Sequence, residues 1–228
     1  MDIHFAKPGI DTWKLANDIH IWRFPLAKIS SPLLNDDEQE LAERFHFEPD
    51  RNRFILGRHA LRLILSKYFC IDSLDISISS SGSKKPFIFY PSADIFFNIS
   101  HSGEWILLAV AKNELGVDIE YLNKDFEFND LLNQHFCEEE RKYIQSRSDA
   151  LMAFYYLWTR KEALLKAWGN GLPANLKDAG VLGDDISCKK NKSLWKLKSF
   201  MLSDDYAAAI AFSPDTENLL FFDGADLI

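Results

Sequence analysis

Cysteine is the first shortage. Cys70, Cys137 and Cys188 are the only three in 228 residues, widely spaced, with no CxxC pair and no His cluster beside them. Neither a disulfide framework nor a zinc site is indicated, and a reducing compartment fits. Long apolar runs are missing as well: a stretch such as Trp105 to Ala111 falls far short of the roughly 20 residues that a membrane span requires. The stretch MDIHFAKPGIDTW has no basic region leading into an apolar one, so no secretory leader is read there. The expectation is a cytoplasmic protein without membrane attachment. Basic charge is in deficit, 26 Lys and Arg against 34 Asp and Glu for a formal net charge of −8. That argues against a nucleic-acid surface but leaves room for a local basic cluster around an anionic ligand. Asn98-Ile99-Ser100 matches a glycosylation sequon, which carries no weight without export.

What is present is ordinary for a globular chain, 47% hydrophobic and 26% charged, enough for one sizeable core or two small ones. Periodicity predicts a strand over Ile19 to Phe24, a helix over Asn35 to Phe47 opened by Asn35, and a second helix over Arg51 to Phe69. Short strands follow at Leu74 to Ser79, Phe87 to Tyr90, Ile95 to Asn98 and Trp105 to Ala111, divided by turns such as SSSGSKKP. After the turn KNELG comes a strand over Leu115 to Leu122. Helices over Phe128 to Phe136, Glu138 to Ser146 and about Asp149 to Trp168 precede strands near Trp195 to Leu202 and Tyr206 to Phe212. Strand, helices, strands thus occurs twice without a residue-level repeat. The reading is an α+β chain of two halves, 1–114 and 115–228.

Three carboxylates stand out. In LGVDIEYL, Asp118 and Glu120 lie two residues apart, so alternation puts both on one face of the strand. In DALMAFYYLWTRKEALLKAWGNG, Leu151, Tyr155 and Trp158 form an apolar stripe that Glu162 continues, with Lys166 one turn on and Gly169 and Gly171 after it. Each feature has a plain alternative: a solvated edge face for Asp118 and Glu120, and a surface i,i+4 pair for Glu162 and Lys166. Together the three acids suit a hard divalent cation such as Mg²⁺, which completes its shell with water and phosphate. Lys161, Lys166 and the turn lysines Lys84 and Lys85 would supply positive charge for that phosphate. FFNISHSG places Ser100, His101 and Ser102 at a strand end where an anion could be met.

The motifs KP, NISHS, GVDIE and WTRKEALLKAWGNGL, in that order between Arg53 and Leu172, resemble those of the surfactin-synthetase-type 4'-phosphopantetheinyl transferases. The resemblance implies a monomer built as a pseudo-dimer of two α+β halves, with coenzyme A and Mg²⁺ in the cleft between them. It implies Asp118, Glu120 and Glu162 as metal ligands, and Lys161 and Lys166 on the phosphates. Ser100 and His101 would contact the nucleotide end, Lys85 and Pro86 the adenine, and Arg53 the 3'-phosphate. Two departures bear on that last contact: Glu38 and Leu41 stand where the family has lysines directed at the 3'-phosphate, which leaves Arg51, Arg58 or Lys84 as substitutes. Lys84 also replaces a common glycine before the KP turn.

The reaction implied is transfer of 4'-phosphopantetheine from coenzyme A to a serine of an acyl or peptidyl carrier protein, with release of 3',5'-ADP. Catalysis would rest on Asp118, Glu162 and Lys166, the base being Glu162 or a water on the metal oriented by it. Carriers of fatty-acid, polyketide and nonribosomal-peptide synthesis all qualify as partners. The rival readings are another Mg²⁺-dependent enzyme that cleaves a nucleotide pyrophosphate, and a non-catalytic module that binds coenzyme A or a carrier.

Overall fold

The computed structural model describes residues 3–79, 85–92, 94–169, 176–187 and 194–228. Ten strands, five α-helices and short 3-10 turns are ordered among them. The first half contributes β1 (Ile19–Pro25), α1 (Asp36–Glu43), α2 (Glu48–Phe69), β2 (Ser77–Ser79), β3 (Phe87–Tyr90), β4 (Phe96–Ser102) and β5 (Trp105–Ala111). The rest comprises β6 (Leu115–Tyr121), α3 (Asn129–His135), α4 (Glu138–Gln145), α5 (Ala150–Trp168), β7 (Asp185–Ser187), β8 (Leu194–Ser203), β9 (Tyr206–Phe212) and β10 (Leu219–Asp223). The fold is α+β, a pseudo-dimer in which each half pairs one sheet with one long helix.

Two four-stranded sheets, ordered β10-β1-β5-β4 and β6-β9-β8-β7, carry the architecture, with β2 and β3 as a separate hairpin. Strand alternation sorts their side chains into layers. Trp22, Phe24, Ile106, Leu108 and Val110 face α2, whose Leu56, Ala60, Leu61 and Ile64 close a first core. The opposite faces of the same strands present Ile19, Ile21, Leu107 and Ala109 to Val117, Ile119, Ala208 and Ile210 of the second sheet, in a core shared by both halves. Beyond it, Ala207, Ala209 and Ala211 pack against Leu157, Ala163 and Leu164 of α5. β10, in the segment read as the second half, runs parallel to β1 in the first sheet.

Several expected elements differ. Where a strand was read from Leu74, the Asp72 carboxylate caps Leu74 N at 2.8 Å and winds Ser73–Asp75 into a 3-10 turn, so β2 starts only at Ser77. α2 begins at Glu48, before Arg51, with Pro49 in its first turn, where the missing N–H of proline costs nothing. β4 continues past Asn98 to Ser102 because its polar side chains, out of keeping with a buried strand, are taken up by the neighbouring strand.

Candidate functional site

The α5-facing side of β6 is where a small residue is needed. A Cβ at Gly116 would overlap Ala163 O and Ala167 N of α5, so glycine there lets the helix lie against the strand. The alanines opposite, Ala209 beside Asp118 and Ala207 beside Glu120, leave the same face thin. Alternation then turns Asp118 and Glu120 toward α5, and helical spacing turns Glu162 and Lys166 toward them.

Asp118 is the centre. Its side chain is nearly inaccessible, with the residue 3% exposed, and Oδ1 accepts from Ser100 Oγ at 2.9 Å and Lys166 Nζ at 2.7 Å. Lys166 Nζ also donates to Ser100 Oγ at 2.8 Å. The second oxygen, Oδ2, is buried and has no hydrogen-bond partner. Burial raises the Asp118 carboxyl above its ordinary range, against the opposing pull of Lys166 and Ser100. Glu120 is pushed up to about 7 by burial and then by Asp118, with the Ser102 hydroxyl, Lys166 and the Trp158 indole pulling it back. Ser102 Oγ lies 3.1 Å from Glu120 Oε2. Glu162 is raised as well, first by burial and then by Asp118, while Lys166 opposes the shift. Three acids that resist ionisation around one ammonium group and one unpartnered oxygen make a site short of positive charge.

Ser100, Asp118, Glu120, Glu162 and Lys166 are therefore brought together as the sequence suggested. Among the described residues, no three His, Cys, Asp or Glu side chains stand in a ready metal-ligating array; Lys166 is the cation nearest Asp118 in the geometry shown. His101 is exposed, within electrostatic reach of Lys166 and Arg53. Arg53 is less free than expected: Nε donates to Gly103 O at 3.3 Å and Nη1 to Asp50 Oδ1 at 2.9 Å. Lys85 and Pro86 line a cleft of about 450 Å³ with Phe87, Phe96, Glu114 and Trp168. Lys85 Nζ donates to Leu115 O at 2.5 Å, and burial lowers its pKa to about 8 against the pull of Glu114. Lys84 lies outside the described residues.

Lys161 is a correction. It does not reach the site but is wholly buried on another face of α5, paired with Glu140 Oε2 at 2.9 Å and donating to Leu176 O and Ala179 O. Arg160 beside it is likewise buried, held by Val181 O and Ser199 Oγ. Both cations clamp the segment after α5, and a sequence cannot distinguish a clamp from a ligand when each is a lysine on one helix. Glu38 also has a structural use. It caps α1 through Asn35 N and pairs with Arg62 Nε at 2.7 Å, so a family lysine position is here committed to the core. Leu41 is an exposed apolar residue. Of the substitutes, Arg58 lies against Glu38 and the Phe54 ring, and Arg51 lines a separate cleft of about 460 Å³ beside Lys28 and Glu43.

Two residues at the site went unread in the sequence. Asn98 Oδ1 accepts from Val117 N at 2.8 Å, and Tyr206 Oη accepts from Glu104 N at 3.0 Å. The first was visible in the period-two spacing of Asn98, Ser100 and Ser102. The second had no local signal.

Two family models match the chain. Residues 114–211 match the model of the 4'-phosphopantetheinyl transferase superfamily, and residues 25–113 match that of the 4'-phosphopantetheinyl transferase N-terminal region. The chain is 31% identical over 210 residues to the 4'-phosphopantetheinyl transferase HetI of Nostoc sp., covering 86% of this chain and 88% of that protein. It is 30% identical over 191 residues to the 4'-phosphopantetheinyl transferase Sfp of Bacillus subtilis, covering 80% and 84%. With the 4'-phosphopantetheinyl transferase gsp of Aneurinibacillus migulanus it shares 31% identity over 164 residues, 70% and 65% of the two chains.

Proposed function

The chain belongs to the 4'-phosphopantetheinyl transferase superfamily, and from that premise we propose that it moves 4'-phosphopantetheine from coenzyme A to a serine of an acyl or peptidyl carrier protein. The observation that carries the reading is the unpartnered, buried Asp118 Oδ2 among acids whose ionisation is suppressed. A buried acceptor left open is costly unless something binds it. The donor set consists of hard carboxylate oxygens, which fits Mg²⁺. Asp118, Glu120 and Glu162 would hold it, and when bound it would neutralise charge on the coenzyme A pyrophosphate.

The chain's own groups perform the rest. Lys166, fixed between Asp118 and Ser100, offers its ammonium to the phosphates. Ser100 and the exposed His101 stand at the end of β4, where the nucleotide side of coenzyme A enters. The cleft beside Lys85, Pro86 and Trp168 has the size and aromatic lining for a nucleobase. Glu162, directly or through a water, takes the proton of the carrier serine. The serine oxygen forms a bond to the phosphorus bearing the pantetheine, and the bond from that phosphorus to 3',5'-ADP breaks. Both sides of the cleft come from one chain, so a monomer is a sufficient catalytic unit. No helix of the described residues is long and apolar enough to cross a membrane.

Mass spectrometry of an apo-carrier incubated with coenzyme A and Mg²⁺ tests the proposal. The carrier should gain one phosphopantetheine and 3',5'-ADP should appear in equal amount, both stopped by EDTA. Release of 3',5'-ADP at full rate with a serine-free carrier would show that water is the acceptor and would overturn it.

A further inference from the structure

β6 and β4 are each the edge strand of their sheet, yet they are not left with bare edges. Side chains of β4 take the place of a backbone ladder: Asn98 Oδ1 accepts from Val117 N, Ser100 Oγ from Ile119 N at 3.4 Å, and Ser102 Oγ from Tyr121 N at 2.9 Å. Every second residue of one strand meets every second N–H of the other, a register that a one-residue slip would destroy. A hydroxyl has one proton and two lone pairs. Because Ser102 Oγ accepts from Tyr121 N, its proton remains for Glu120 Oε2 at 3.1 Å.

Ser102 is itself held from both halves. It precedes Gly103, which has φ +53° and whose missing Cβ makes room for the Tyr206 hydroxyl. Tyr206 Oη accepts from Glu104 N, and Arg53 Nε donates to Gly103 O. The turn is therefore fixed by a residue of β9 and one of α2, and the Ser102 hydroxyl is delivered to Glu120 at a set place and direction.

We propose that Ser102 is a positioning residue, which aims the Glu120 carboxylate toward the cation and pyrophosphate by donating to one of its oxygens. The assignment rests on the reading of Glu120 as a cation ligand. Groups that orient a ligand in this way commonly affect cation affinity or activity by about 10- to 100-fold.

The test compares Ser102→Ala, Ser102→Thr and Glu120→Gln. For each, the half-saturating Mg²⁺ concentration in transfer, kcat and KM for coenzyme A, Mn²⁺ binding by paramagnetic resonance in the presence of coenzyme A without carrier, and the melting temperature are measured. Ser102→Ala is expected to raise half-saturating Mg²⁺ and weaken Mn²⁺ binding by about tenfold, with little change in melting, and Ser102→Thr to restore both. Should the alanine variant melt early, Ser102→Cys, of similar size but a weak donor, is read in its place. If Glu120→Gln moves cation dependence and Ser102→Ala does not, the positioning role is overturned while the reading of Glu120 stands. If Glu120→Gln moves neither, that reading falls and the proposal with it.

Discussion

Helix α5 carries two lysines little more than a turn apart, and each meets a buried carboxylate, but the two pairs are finished differently. Lys161 directs its three donors to Glu140, Leu176 O and Ala179 O, while Glu140 accepts from Val181 N on one oxygen and from Cys137 N and Lys161 on the other. Nothing is left over. Lys166 shares itself between Ser100 and Asp118, and Asp118 keeps Oδ2 without a partner. A saturated pair has no capacity for a ligand and serves the fold, whereas a deficit of positive charge marks where a ligand completes the bonding. The two ends of WTRKEALLK thus separate into scaffold and site by their hydrogen bonds, not by residue type.

The strongest way to break this comparison is to neutralise the unfinished side. Asp118→Asn removes the charge and keeps the shape, and should lower transfer by at least about a hundredfold, as loss of a directly charge-bearing group in such a site does. Cation-free melting should hold or rise, since burial already disfavours the ionised form. A variant that retained activity, or that unfolded, would place Asp118 with the scaffold.

Neutralising the finished side should do the reverse. Lys161→Met leaves Glu140 buried and uncompensated, which costs about 3–5 kcal/mol and lowers melting by roughly 10 °C in a chain of this size. Adding Glu140→Gln should recover part of the loss by removing the orphaned charge. Activity per folded molecule should stay within about twofold. A large fall in kcat with unchanged melting would return Lys161 to the phosphates.

That the two lysines differ was not legible in the sequence. Helical spacing turned Glu162 and Lys166 to one side, and alternation along β6 put Asp118 and Glu120 together; both are local periodicities, and both arise from backbone geometry alone. Lys161 was misassigned because its partner lies in another helix, α4, and the acceptors Leu176 O and Ala179 O are backbone groups that carry no side-chain signal. β10 went unread for a related reason. Its partner β1 lies near the opposite end of the chain and the pairing is parallel, so no hairpin turn marks it in the sequence. The strand character of NISHS was hidden by polarity that only the edge of β6 explains.

The smallest expected effect separates the site from the rest of the fold by pH. Glu120 is an acid whose folded pKa, about 7, stands above its ordinary 4.5. Its neutral form is therefore favoured by folding, and the stability it contributes is present below about pH 4.5 and lost as pH rises through 7. His20, buried in the first half, is the opposite case. Burial lowers it from 6.5 to about 4, with Asp18 opposing, so its contribution is present above about pH 6.5 and lost as pH falls toward 4. Between those values the two oppose one another, but from about pH 6.5 to 8 only Glu120 of this pair is still changing. Cation-free protein should lose about 0.5 kcal/mol over that interval, read as about 1–2 degrees of melting, since most of the loss falls below pH 6.5 and the remainder is discounted for the partial solvent access of Glu120. Glu120→Gln should flatten the slope, and so should Mg²⁺, because a cation favours the ionised carboxylate that burial disfavours. A slope that survived both would mean that the falling stability originates outside the acidic site, and that the charge deficit around Asp118 is not what titrates.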